Sequence, residues 1–397
     1  MKLKKDILVI YYLIFIISTL NAQVSEIPFE LGENGHVYLK VIANDTSKEL
    51  KFIFDTGATS DLLNSTTAKK MGMKSNYQQE VKGAGESKTY DIVLNQKLTL
   101  LQNIEINNTH LVLADLSSLN EVLDKNVDGI IGYSLLSKYV TKIDYENKKL
   151  ILYKEIKDVD VEGYNAIPFQ FGDGIPIPQF DISFTLSNGI TFTNTILFDS
   201  GAGLSLLVNA PFNRENQINE KAGKSLIFKS VNLNSESISE EIAIKSLTLG
   251  KFKFEELTAL ISYDTEGVSS WEGYLGILGA TIIERFNIIL DYNSKILYLK
   301  PNNNFGNEFD FPLSGIKLKK INNKIIIGYL DETTPAYKSG IREGDQLISI
   351  NGETYGDKKL YYELLKKEGN EVTLKIINQN GEYKVIYIIE KIIINAC

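Results

Sequence analysis

Two short runs of this chain carry residue types suited to hydrolytic acid–base chemistry. Phe54-Asp55-Thr56-Gly57-Ala58 and Phe198-Asp199-Ser200-Gly201-Ala202 each lead from apolar residues into an Asp, a hydroxyl residue, a Gly and an Ala. Two carboxyls brought into contact share a proton, because both cannot be ionised at once. One then acts as general base toward a water and the other as general acid toward a carbonyl. The hydroxyl of Thr56 or Ser200 can bond across to the opposite loop. Gly57 and Gly201 permit backbone approach where a side chain would clash. Other hydrolytic machinery is scarce. Only two histidines, His36 and His110, exist to complete a Ser-His-Asp triad, and no nucleophile-elbow pattern surrounds Ser205. The one cysteine, Cys397, excludes an internal disulfide framework and a Cys-rich zinc site, and no H-E-x-x-H run occurs.

The two runs belong to a larger internal repeat. Ile27-Pro28-Phe29 returns as Ile167-Pro168-Phe169, Gly129-Ile130-Ile131-Gly132 as Gly276-Ile277-Leu278-Gly279, and Ile143-Asp144-Tyr145 as Leu290-Asp291-Tyr292. The offset widens from 140 to 147 residues along the chain, as small loop insertions produce. Two lobes follow, 23–158 and 159–301, each delivering one Asp at the end of an apolar strand. Runs rich in Ile, Val, Phe, Tyr and Thr, broken by Gly, Asn and Ser, predict mainly β structure. Helices are expected only around 65–71 and after Gly132 and Gly279. Asp144 and Asp291 also repeat, but each stands just before a strand with Tyr and Lys and reads as structural.

Asp55-Thr56-Gly57-Ala58 resembles the catalytic signature of the pepsin and retropepsin superfamily of aspartic proteases, with Asp199-Ser200-Gly201-Ala202 as its second copy. Ile130-Ile131-Gly132 and Ile277-Leu278-Gly279 resemble the hydrophobic-hydrophobic-Gly element that packs beneath that loop. The resemblance covers roughly residues 25–300. It implies a two-lobed double-psi β-barrel fold and peptide-bond hydrolysis by Asp55 and Asp199, supported by Thr56, Gly57, Ser200 and Gly201. No metal or organic cofactor is implied. Ala after the Gly is closer to the retroviral and bacterial retropepsin-like branch than to pepsin. With both carboxyls in one chain, a dimer is not required. Gly83-Ala84-Gly85, in a polar stretch ending at Tyr90, is the candidate flap tip, and the second lobe offers nothing comparable.

Beyond Pro301 a polar run, Asn302 to Glu308, marks the start of a third unit, 302–397. Within it, Thr334-Pro335-Ala336 predicts a short helix that Gly340 can end, and Asn351-Gly352 predicts a hairpin turn. Lys358 to Lys367 has helical spacing. The Pro-Ala…Gly…Gly-Asp…Ile-Asn-Gly run is similar to the PDZ domains attached to bacterial proteases, over about residues 311–393. That likeness implies that Leu313-Ser314-Gly315-Ile316 forms the carboxylate-binding loop for a C-terminal peptide, with Ile316 opening the edge strand to which such a peptide adds.

The chain has 397 residues, of which 43% are hydrophobic and 23% charged, which excludes a disordered tail protein. A net charge of −8 leaves no global basic footprint for nucleic acid. Met1-Lys2-Leu3-Lys4-Lys5, the apolar stretch from Ile7 to Leu20 and small Ala22 read as a secretory signal peptide over 1–22. Export to the periplasm or medium follows, with membrane attachment only if that segment is retained. The expected partner is a peptide or protein substrate in the cleft between the lobes. The expectation is an exported aspartic endopeptidase with a PDZ domain; its rival is a non-catalytic peptide-binding protein of the same fold.

Overall fold

The computed structural model describes residues 23–390 except 33, 45, 83–86, 124, 232–235 and 310–313. The expected signal peptide, Gly83, Ala84, Gly85 and Leu313 therefore lie outside the described residues.

The first lobe is strand-built: β1 (Gln23–Pro28), β2 (Glu30–Leu31), β3 (Val37–Ala43), β4 (Leu50–Phe54), β5 (Asp61–Asn64) and helix α1 (Ser65–Lys70). Then come β6 (Tyr77–Lys82), β7 (Ser87–Leu100), β8 (Ile104–Ala114) and α2 (Ser117–Leu123). It closes with β9 (Gly129–Ile131), α3 (Tyr133–Leu136), β10 (Val140–Asp144) and β11 (Lys149–Tyr153). The second lobe repeats the plan with β12 (Asn165–Pro168), β13 (Gln179–Leu186), β14 (Thr191–Phe198), β15 (Leu206–Val208), α4 (Ala210–Asn216) and α5 (Ile218–Ala222). It continues through β16 (Ser225–Val231), β17 (Glu236–Leu249), β18 (Phe252–Ser262), β19 (Gly276–Leu278), α6 (Ala280–Ile283), β20 (Phe286–Asp291) and β21 (Ile296–Pro301).

The repeat in sequence is a repeat in topology. The first sheet runs β2-β3-β4-β9-β5-β8-β7-β6 and the second β13-β14-β19-β15-β18-β17-β16. In the first, β9 lies between β4, to which it is parallel, and β5, to which it is antiparallel. The loop joining β4 to β5 must therefore arch over the end of β9. The second lobe makes the same crossing with β14, β19 and β15. These arches carry Asp55 and Asp199.

Each arch needs a glycine beneath it. A Cβ on Gly132, at the end of β9, would overlap the carbonyl oxygen of Asp55, and one on Gly279 that of Leu204. This steric demand explains the repeated apolar-apolar-Gly element.

A six-stranded sheet, β1-β11-β10-β20-β21-β12, joins the lobes through antiparallel pairing of β10 with β20. One continuous apolar core, including Phe54, Ile143, Phe198 and Leu290, extends through both lobes and this sheet. Asp144 and Asp291 cap turns there: Asp144 accepts from Asn147 N–H at 2.9 Å and Asp291 from Asn293 N–H at 3.1 Å.

The C-terminal unit folds around a second core that includes Ile316, Leu318, Leu347, Tyr361 and Leu374. Its sheet is ordered β22 (Ile316–Ile321), β23 (Lys324–Leu330), β24 (Gln346–Ile350), β25 (Glu371–Asn378) and β26 (Gly381–Ile388). Helix α7 (Pro335–Lys338) starts on the Thr334 hydroxyl, which accepts the Tyr337 N–H at 3.1 Å, and α8 (Lys358–Leu364) lies beside β22. Residues 302–309, placed with this unit by the polar run, instead pack on the second lobe. Phe305 sits between Phe252, Phe254 and Phe286, and the Arg285 guanidinium lies 3.7 Å from the Phe309 ring centre while donating to the carbonyl of Asn304. The apolar content of that run, Phe305 and Phe309, outweighs its four asparagines.

Candidate active site

The two arches meet face to face. The Thr56 hydroxyl donates to the carbonyl of Phe198 at 2.9 Å and accepts the Ser200 N–H at 2.9 Å. Reciprocally, the Ser200 hydroxyl donates to the carbonyl of Phe54 at 3.3 Å and accepts the Thr56 N–H at 3.1 Å. All four bonds cross between lobes at residues almost wholly removed from solvent. Each Asp is held by its own loop: the Gly57 N–H donates to Asp55 Oδ1 at 2.7 Å and the Gly201 N–H to Asp199 Oδ1 at 2.8 Å. Each glycine also abuts the other lobe's carboxyl. A Cβ on Gly57 would lie 2.5 Å from Asp199 Cγ, and one on Gly201 would overlap the Asp55 carboxyl. Asp55, Thr56 and Gly57 are thus brought together with Asp199, Ser200 and Gly201 at the floor of the cleft.

The pair is electrostatically coupled. Asp55 is pushed well above the ordinary carboxylate range, first by enclosure in protein and then by the charge of Asp199. Asp199 is also raised by enclosure, but a hydrogen bond from Asp55 and the nearby His36 oppose the rise. Asp55 therefore retains a proton to higher pH than Asp199, although the two titrate as a unit.

Three residues near the dyad escaped sequence reasoning in these roles. Buried His36 places Nε2 3.0 Å from the carbonyl oxygen of Gly201; a carbonyl only accepts, so Nε2 carries the hydrogen. Burial lowers the pKa of this imidazole. Asp61, fully enclosed at the start of β5, accepts from the Thr109 and Ser134 hydroxyls at 2.6 and 2.8 Å, fastening the outgoing side of the Asp55 arch to β8 and α3. Tyr292 packs under the dyad against Phe169, Phe171 and Tyr133. Its hydroxyl has no hydrogen-bond partner among the described residues. The spacing of Asp61 from Asp55 equals that of Ser205 from Asp199, so the repeat pointed at this position, but the differing residue types concealed it.

Each lobe sends one strand of a hairpin along the cleft, β7 through Tyr90 and β17 through Ser237, Ser239 and Glu241. In the first, β6 and β7 pair from Tyr77↔Ile92 to Lys82↔Ser87, and Tyr90 lines the cleft wall. The second lobe has a counterpart, contrary to expectation: β16 and β17 pair from Ser225↔Ile242 to Val231↔Glu236, and β7 and β17 are both 14 residues long. Sequence likeness was sought in glycines, whereas the shared feature is strand length and pairing.

In the C-terminal unit, Ser314 and Ile316 are buried and Gly315 has φ +65°. The Ser314 hydroxyl accepts the Ile316 N–H at 3.3 Å. This segment leads straight into the edge strand β22.

Twin arches presenting coupled carboxyls, followed by a five-stranded module whose edge strand β22 lies beside helix α8, make this a mainly β chain with an aspartyl protease-like domain and a C-terminal PDZ domain. Comparison with known families agrees: residues 39–135 match the model for an aspartyl protease and 326–378 that for a PDZ domain. No curated protein matches the chain.

Proposed function

We propose that this chain is an aspartic endopeptidase whose dyad is Asp55 and Asp199, exported by way of residues 1–22. The observation that carries the reading is the meeting of two coupled carboxyls across the four hydroxyl-mediated bonds of Thr56 and Ser200. Asp199, ionised, takes a proton from a water whose oxygen attacks the scissile carbonyl carbon. Asp55 gives its proton to the carbonyl oxygen. Collapse of the tetrahedral adduct breaks the C–N bond: the leaving amine takes the proton held by Asp199, and one hydroxyl of the adduct returns its proton to Asp55 as the carbonyl of the acid product re-forms. Substrate lies extended between the lobes along the two hairpins, and the PDZ unit receives a peptide C-terminus at the segment leading into β22.

A peptide-library digest over acid to neutral pH tests the hydrolysis. Asp55→Asn is expected to cut at least about 10²–10⁴-fold more slowly than wild type, the usual worth of a positioned acid or base. Equal cleavage by both proteins, or none by either, counts against it. Sequencing the N-terminus of the exported protein tests the leader, with Gln23 expected first.

A further inference from the structure

The PDZ unit roofs the cleft. One cavity of about 1420 Å³ is lined by Asp55 and Asp199 of the lobes and also by Ile316, Leu318 and Lys319 of β22 and Tyr362 of α8. The unit rests on both lips of that cleft. On the second lobe, Lys317 Nζ lies 3.1 Å from the Glu241 carboxylate of β17, whose side chain is only 10% exposed and also accepts the Thr258 hydroxyl at 2.9 Å. On the first lobe, helix α2 lies against β22, and Asn34 and Leu123 share a smaller cavity with Lys320 and Lys358. The same helix touches β16 of the opposite hairpin, so the two lips and the PDZ edge strand meet around it.

We propose that the PDZ unit is an autoinhibitory lid: in this docked position it keeps the cleft shut to polypeptides, and it must swing off before one can lie across the dyad. The inference rests on the hydrolytic reading above. Substrate and lid need the same surface. Ser237, Ser239 and Glu241 alternate along β17 and line the cavity, so they form the face along which an extended chain would lie. Lys317 is anchored on that face. Departure of the lid opens no core. The unit has an apolar core of its own, and the core of the lobes closes without it. Among the contacts that hold it down are a partly exposed ion pair and the margin of α2, where Leu119 and Leu123 are half-buried and Val122 is 46% exposed. Such contacts are individually weak. The docked and open forms therefore lie within reach of one another, and kcat/KM scales with the open fraction.

The test uses the full chain and a quenched fluorescent peptide taken from the cleaved members of the library, amidated so that the PDZ site takes no part. Lys317→Glu turns attraction into repulsion and is expected to raise kcat/KM about threefold or more. Glu241→Lys is expected to do the same, and the double variant, with the pair reversed, to fall back toward wild type. Small-angle scattering on the same four proteins gives a second readout. Both single variants are expected to have a larger radius of gyration than wild type and the double variant. A Lys317→Glu rate at or below wild type, or a double variant as fast as the faster single one, overturns the lid while leaving the hydrolase intact. Absence of Asp55-dependent cleavage in all four proteins overturns the hydrolytic reading and the latency with it. An unchanged radius in Lys317→Glu overturns the lid in either case.

Discussion

A carboxyl whose pKa is raised on folding makes the fold less stable as pH climbs. The ionised form is favoured in the unfolded chain, so the penalty begins above the ordinary value near 3.8 and grows until the folded pKa is passed. Asn mimics a neutral carboxyl of the same shape. Asp55→Asn is therefore expected to melt higher than wild type near neutral pH, with the difference vanishing toward pH ~3.8; a constant difference across pH would contradict the shift. His36 acts on the acid side. Where it is protonated, its charge beside Asp199 opposes protonation of the dyad. His36→Gln is expected to move the acid limb of the activity profile to higher pH and leave the alkaline limb in place, as pH-rate curves would reveal. The two aspartates, with their Thr, Ser and Gly neighbours, were legible because they repeat. His36 was not, because its meaning lies in a contact spanning 165 positions of chain.

Among the elements, the arches depend on one another. Thr56→Val keeps the side-chain shape but orphans the Ser200 N–H and the Phe198 carbonyl, each left buried without its partner. A loss of about 1–3 kcal/mol per orphaned group is expected in chemical denaturation. Less than about 0.5 kcal/mol in all would mean that neighbouring groups relax to replace the bonds. Strands were readable from alternation: β3 buries Val37, Leu39, Val41 and Ala43 while Lys40 faces out. Helices α2, α4 and the short α5 were missed. The first, Ser117-Ser118-Leu119-Asn120-Glu121-Val122-Leu123, mixes polar and apolar residues without a clear stripe. The second does carry a signal, Asn209 followed by Pro211 in its first turn, and this went unread.

At the scale of the molecule the largest core belongs to both lobes at once, and smaller apolar clusters flank it. The lobes share it through the sheet joining β10 to β20, whereas the PDZ unit has its own. Scanning calorimetry is expected to show two transitions, one for residues 23–309 together and one for the PDZ unit. Separate melting of the two lobes would contradict the shared core. The internal duplication made the pairing of halves foreseeable. The docking of the PDZ edge over the cleft was not, since it depends on a few contacts such as Lys317 with Glu241 that no periodicity announces.

The sheet that unites the halves also orders events during synthesis. Thr141 must wait for Leu290, its register partner almost 150 residues later, before the halves can close. A growing chain on the ribosome thus holds Asp55 without its counterpart for most of its emergence. The carboxyl pair forms only as the last third of the polypeptide comes out, so neither half can hold a shared proton while the chain is still being made.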